Sequence, residues 1–279
     1  MDGAPTGRRR RLAIAVGIAS LLPLAGCGVG HEKEPPAATR PVTTSPAPAV
    51  GDGSTVLIGE RQGAPAQLGA ASVRVTVESV DHGEVTTTAG VGGLRALAFP
   101  RYVDKGAYPR AVVVVSNTGG TDELNPGEKP FTWGADFRID TPSAGRAEDN
   151  GDNLIQRGLY SEPAEYKAEL DLDRPACTVR GDDGVVTIRG PAIVPGLWYH
   201  MECRRRGYEL TVTSWPLDQP EAKSRRTGFG PMGDVTPADP GVPLSVGGKV
   251  SPDHSILKSS TDEFNGDIAG AFLRISDDA

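Results

Sequence analysis

Gly196-Leu197-Trp198-Tyr199-His200-Met201-Glu202-Cys203 closes the stretch that decides the fold, which opens at Cys177. Two β-rich runs lie between these cysteines, parted by a turn rich in proline and glycine. Strand alternation puts Leu197, Tyr199, Met201 and Cys203 on one face and Trp198, His200 and Glu202 on the other. The stretch reads as a disulfide-stapled hairpin in an exported β-sandwich, with its cysteines serving as a staple rather than as an active centre.

Moving outward, the same period-2 patterning recurs. Phe131, Trp133, Ala135, Phe137 and Ile139 fall on strict alternate positions, the mark of a half-buried strand. Ser72 to Val80 alternates Val73, Val75 and Val77 with Arg74, Thr76 and Glu78, while Ala111 to Val115 is a continuous apolar run suited to a central strand covered on both faces. Further strands are expected at 93–99, 153–160, 165–172, 176–180, 184–189, 197–204, 208–213, 244–250 and 267–275. No stretch of ten or more residues combines helical periodicity with capping signals. Roughly a dozen strands without an evident helix imply a two-sheet sandwich or barrel. Pro216 to Pro243, dense in proline and glycine, reads as a long loop.

The N-terminal region has a different character. Arg8 to Arg11 precede a thirteen-residue apolar run, Leu12 to Leu24. In helix it would reach only about 20 Å, short of the roughly 30 Å hydrocarbon layer, so it reads as a signal sequence rather than a span. The run ends in Leu24-Ala25-Gly26-Cys27, which resembles the lipobox of bacterial lipoproteins. That resemblance implies cleavage after residue 26, lipid attachment at Cys27 and display on the outer face of the bacterial cytoplasmic membrane. Residues 31–50 hold five prolines among Ala, Thr and Ser, so 27–53 reads as an extended tether. Residues 54–279 remain as the folded domain.

Charge and cysteine parity narrow the partners. The chain carries 29 basic and 36 acidic residues. Losing 1–26 removes four arginines and Asp2, leaving a balance of −10. Such a surface repels phosphate backbones, so nucleic acid is not an expected partner. With Cys27 consumed by lipid, Cys177 and Cys203 remain as one pair in an oxidising exterior, and a bridge is the simplest account.

The motif order supplies a resemblance. Asn125-Pro126-Gly127 leads into Phe131-Thr132-Trp133-Gly134-Ala135-Asp136-Phe137. Then follow Asn153-Leu154-Ile155-Gln156-Arg157-Gly158, Tyr166-Lys167, the Cys177 strand, Gly196-Leu197-Trp198-Tyr199-His200, Cys203, Val246-Gly247-Gly248-Lys249 and Phe264-Asn265-Gly266. Together these resemble the laminin G-like, concanavalin A-like jelly-roll domains of exported bacterial proteins. The resemblance implies an all-β, two-sheet jelly roll that binds a glycan or a protein, in some members with calcium. Tyr199 stands where that family often has a histidine.

Three further features bear on activity. Glu169-Leu170-Asp171-Leu172-Asp173 resembles the Glu-x-Asp-x-Glu strand of laminarinase-type jelly-roll glycosidases, whose alternate carboxylates line one groove. The last member here is an aspartate just before Arg174 and Pro175. The competing reading puts Lys167, Glu169, Asp171 and Asp173 on a solvated face and Tyr166, Ala168, Leu170 and Leu172 in the core, and no catalytic residue is then expected. Glu148-Asp149-Asn150-Gly151-Asp152-Asn153 could offer calcium some of its six to eight oxygens. Beyond calcium no cofactor is expected, since the four histidines, His31, His82, His200 and His254, show no metal-ligand spacing. Trp133 and Trp198 are expected in the core. The reading is a non-catalytic binding module, with a glycan hydrolase or a purely structural envelope protein as alternatives.

Overall fold

The computed structural model describes residues 55–101, 108–142 and 151–276. The expected signal over 1–26, Cys27, the tether over 27–53, and Glu148, Asp149 and Asn150 lie outside the described residues. One sheet holds β1 (Thr55–Arg61), β2 (Ala64–Gln67), β4 (Thr86–Ala89), β5 (Arg95–Ala98), β7 (Phe131–Ile139), β12 (Tyr199–Arg206), β13 (Glu209–Pro216), β14 (Ser224–Phe229) and β16 (Gly266–Ile275). Its order is β14-β13-β12-β7-β16-β1-β2, with β5 beside the first part of β16 and β4 beside β5. The other sheet runs β11 (Gly184–Arg189), β10 (Arg174–Gly181), β9 (Glu165–Asp171), β8 (Asp152–Arg157), β15 (Leu244–Val246), β6 (Arg110–Asn117), β3 (Val73–Val80). Among the described residues, no helix is long and apolar enough to cross a membrane.

Alternation builds the core. Phe131, Trp133, Ala135, Phe137 and Ile139 of β7 are all fully buried. Phe131 stacks on Trp133 at 4.6 Å, and both meet Tyr166 of the facing sheet edge-on at 5.3 and 5.8 Å. Aromatic contact of this kind adds to area burial and ties the two layers together. The Tyr166 hydroxyl donates to the Leu124 carbonyl at 2.9 Å, and its burial pushes the phenol pKa up. The apolar run of β6 is covered on both faces: Val113 and Val115 enter the main core, while Val112 and Val114 pack under Val250 and Ile256.

The structure revises four local expectations. Cys177 lies on β10 and Cys203 on β12, so the bridge, with Cα atoms 5.7 Å apart, joins the two sheets instead of stapling one hairpin. The hairpin partner of β10 is β11. Pro216 to Pro243 is not all loop: β14 pairs with β13 from Ser214↔Ser224 to Glu209↔Phe229. As an edge strand with no fully buried residue it has no apolar period to read. Leu172 is 50% exposed at φ 60°, in the two-residue turn closed by Asp171↔Arg174. Trp198 is half-buried outside the core, with the Arg138 guanidinium 5.6 Å from its ring centroid.

Candidate functional site

Every inward residue of a strand leaves its neighbours facing out, and on the first sheet those neighbours form a trough. Tyr199, Met201 and Cys203 point into the core, so His200, Glu202 and Arg204 of β12 face outward. Strand register then fixes who stands beside whom. His200 sits between Trp215 of β13 and Asp136 of β7, and Glu202 between Thr213 and Gly134. On the far side of β7, Asp136 meets Ala269 and Gly134 meets Phe272 of β16.

Local backbone sets the depth. A bulge in β16 between Ala269 and Phe272, with Gly270 at φ 58°, turns the Phe272 ring outward while Leu273 returns to the core. The small side chains at Ala269 and Gly270 leave the floor low. Leu57, Leu68 and Leu94 form the opposite wall, giving a trough of about 550 Å³, within the range of ligand pockets. The His200 ring stacks on Trp215 at 4.2 Å and faces Phe272 at 6.3 Å, while Lys223 Nζ lies 4.3 Å over the indole. His200 Nδ1 donates to Asp136 Oδ1 at 2.6 Å, which fixes the plane of the imidazole. Beyond Glu202 the face turns basic, with Arg204, Thr132 and Arg274 in one register row. The trough can bury an apolar or aromatic group and hydrogen-bond its polar edge.

The carboxylates singled out in the sequence stand on the other sheet. Glu169 is buried on β9 and accepts from Lys167 Nζ at 2.8 Å. Asp171 ends the strand and pairs with Arg189, while Asp173 lies in the turn that follows. Asp173 therefore does not extend the row begun by Glu169 and Asp171. The residue that does share the row is Glu165, through the Glu165-x-Lys167-x-Glu169 spacing. That period-2 spacing begins four residues upstream of the Glu169-x-Asp171-x-Asp173 triplet. The face is not simply solvated, since Lys167 and Glu169 side chains are only 19% and 10% exposed.

Burial pushes the Glu165 carboxyl above its ordinary value of 4.5, and Lys167 and Arg180 only partly offset it. Lys167 is also raised: burial opposes its charge, but the carboxylates around it, Glu169 by charge and hydrogen bond and Glu165 and Asp262 by charge, together outweigh that. A raised folded-state pKa for an acid means that folding favours its proton. The stability this contributes is complete below pH 4.5 and is lost as pH rises through the folded value. Glu165→Gln removes that loss. The stability gap between variant and parent is expected to grow in the variant's favour as pH climbs from about 4 through the folded value, then level off. Urea titrations across pH 4 to 8 read it, and a flat difference would contradict it.

Of the oxygen-rich turn, Asp152 and Asn153 are fully buried. Asp152 Oδ1 accepts from Asn265 and Asn153 Nδ2 donates to Gln156. Among the described residues no group of three or more His, Cys, Asp or Glu side chains is gathered to hold a metal.

No protein-family model and no curated protein matches the chain in sequence. Solved structures do match it in shape. The binding domain of botulinum neurotoxin DC, in complex with rat synaptotagmin II, aligns at a TM-score of 0.52 and 9% identity, over 78% of this chain and 47% of that one. The fold is the jelly-roll β-sandwich. A structure of botulinum neurotoxin type C, whose cell entry is dependent upon interaction with two ganglioside molecules, aligns at the same TM-score, identity and coverage. The LG1-3 region of the laminin alpha2 chain aligns more loosely, at a TM-score of 0.42 and 17% identity over 52% of this chain and 28% of that one. The chain spans less than half the length of these solved chains. At such identities the likeness establishes the jelly roll and leaves the ligand to be argued from the site.

Proposed function

We propose that the chain is a lipid-anchored binding module, held by Cys27 outside the cytoplasmic membrane, that recognises a glycan or a protein through the trough on the first sheet. The observation that carries this reading is the aromatic wall. His200 is stacked on Trp215, faces Phe272 and is fixed by Asp136, above a floor kept low by Ala269 and Gly270. Rigid rings beside a few oriented polar groups suit the CH face of a sugar or an apolar side chain of a partner. The toxin structures lend this support in kind, one being of a binding domain with a protein partner and the other tied to gangliosides.

Glycan and peptide arrays probed with the fragment from residue 51 test the proposal. Trp215→Ala is expected to weaken a specific hit about tenfold, the worth of one aromatic contact of roughly 1.4 kcal/mol, with the melting temperature little changed. In cells, Cys27→Ser should move the protein from the membrane fraction to the medium. Arrays without a specific hit would favour a structural envelope role. A hydrolytic reading falls on Glu165 and Glu169, which share one face with Lys167 between them. Laminarin cleavage that Glu169→Gln abolishes would move the function to that face.

A further inference from the structure

Past Glu202, on the side away from His200, the outer face of the first sheet carries a separate pocket of about 380 Å³. Thr132, Glu202, Arg204, Arg206, Arg274 and Ser276 line it. Alternation and register explain why three arginines meet there. Arg204 and Arg206 follow His200 and Glu202 on the outward side of β12, and both are exposed. Arg274 of β16 stands in the row of Arg204, with Thr132 of β7 between them. Other arginines of the protein are matched by acids: Arg138 by Asp267, Arg157 by Asp122, Arg189 by Asp171 and Arg225 by Glu209. Among the described residues no carboxylate comes within ion-pair distance of Arg204 or Arg274.

The chemistry of the pocket selects an anion. Arg274 holds its guanidinium 4.5 Å from the Phe272 ring centroid, and its Nε is buried without a hydrogen bond. A buried donor left unmet costs free energy that an acceptor oxygen in the pocket recovers. Burial pushes the Arg274 pKa down, and the Glu202 carboxylate offsets that only in part. Guanidinium forks match the oxygens of a phosphate.

Position selects the source of that phosphate. The row of Arg204, Thr132 and Arg274 runs on to Thr55 of β1, the first described residue. Residues 28–54 join Thr55 to Cys27, a stretch that reaches at most about 100 Å. A lipid on Cys27 therefore keeps the Thr55 end of the domain near the membrane, and that end carries the arginines. The chain as a whole is acidic, with 36 acidic and 29 basic residues. An anionic membrane attracts this pocket and repels the rest of the surface, which orients the domain.

We infer that the arginine pocket binds the phosphate of an anionic phospholipid headgroup, in the same membrane that carries the anchor. The inference rests on the lipid-anchored reading for its membrane, while the arginines can be tested without the anchor. Docked in this way, the domain has a second hold on the bilayer beside its acyl chains. His200 lies four residues from Arg204, about 13 Å along the strand. The trough then opens close to the headgroups, and its ligand is taken at the membrane surface.

Co-sedimentation of the fragment from residue 51, which keeps every strand of both sheets and lacks Cys27, tests it. The vesicles are phosphatidylcholine alone or an equal mixture with phosphatidylglycerol. The fragment is expected to bind the mixed vesicles at least about tenfold more tightly at about 50 mM salt, and to leave them at about 500 mM. Arg204→Gln/Arg206→Gln removes two exposed charges and should weaken binding about tenfold or more with the melting temperature unchanged. Arg274→Gln should weaken it as well, and Trp215→Ala should not. The inference is overturned if the two kinds of vesicle bind alike or neither binds, or if binding survives both arginine variants. It is equally overturned if Trp215→Ala abolishes binding, which would move the lipid to the trough. Soluble glycerol phosphate that displaces the fragment from vesicles at micromolar concentration would assign the pocket to a free phosphate ester and overturn it too. The anchor is tested separately: a Cys27→Ser protein that stays with the membrane in cells while Arg204→Gln/Arg206→Gln releases it would strike the lipid at Cys27 and leave the pocket standing.

Discussion

Replacing Cys177 and Cys203 with alanine is expected to lower stability by about 3.5 kcal/mol, the chain-entropy value for a closed loop of some 27 residues. For a domain of this size that corresponds to a melting temperature roughly 7–14 °C lower. The effect acts mainly on the unfolded chain, whose ends of that loop are no longer held together. The position of the bridge adds to it. Cys177 and Cys203 are fully buried on facing sheets, so the bond also opposes separation of the layers. Tyr166 against Phe131 and Trp133 still joins them, and the variant should therefore fold at 25 °C. Thermal scans of parent and double variant with and without reductant measure the difference. Reductant should lower the parent to near the variant and leave the variant unmoved. A shift below about 2 °C would show that the bridge contributes little.

The strands most legible in the sequence are those whose neighbours left the pattern intact. β7 has its core on one side and an open face on the other, so Phe131 to Ile139 shows strict alternation. β6 is covered on both faces, so Arg110–Asn117 shows an unbroken valine run. β11 runs over the residues its sequence indicated, 184–189. β1 showed no such signal. Val56 and Ile58 face the core while Leu57 between them walls the trough, so apolar residues on both faces erase the period. β14 failed in the opposite way, being exposed on both faces. The partition of strands between sheets was hidden for a different reason: alternation fixes which face of a strand is buried and says nothing of which strands pair. Cys177 and Cys203 therefore read as a hairpin staple, although β11 lies between them in sequence and takes the place beside β10, leaving β12 to the other layer. The site was legible only in pieces. His200 and Glu202 were assigned to the correct face of β12. Trp215 and Phe272 join them only through pairing across β13, β7 and β16 and through the bulge at Gly270, long-range geometry that no local spacing encodes. Glu165 is legible, because the Glu-x-Lys-x-Glu spacing is local, but the carboxylate triplet that begins four residues further along, at Glu169, is the stronger pattern in the sequence although the turn at Leu172 and Asp173 breaks it.

Trp133→Ala should be the most costly single substitution in the core, at about 3–5 kcal/mol, because burial of a large aromatic is lost and a cavity is left that rigid neighbours cannot fill. Trp133 is fully buried, lies 4.6 Å from the Phe131 ring and meets Tyr166 at 5.8 Å. Those two rings come from both layers, so neither can collapse into the space without moving its own strand. Trp133→Phe separates volume from polarity. The indole Nε1 is buried with no hydrogen-bond partner, an arrangement that costs roughly 1–3 kcal/mol. Phenylalanine abolishes that unmet donor while giving up only part of the ring volume. Its net effect is expected to stay under about 2 kcal/mol, the smaller cavity being partly offset by relief of the donor. Urea unfolding of parent and both variants reads the midpoints, and an unchanged slope would assign the difference to the folded state. If Trp133→Phe proved as damaging as Trp133→Ala, the six-membered ring would be failing to hold Phe131 and Tyr166 apart, and the full indole would be the element that sets the spacing of the two sheets.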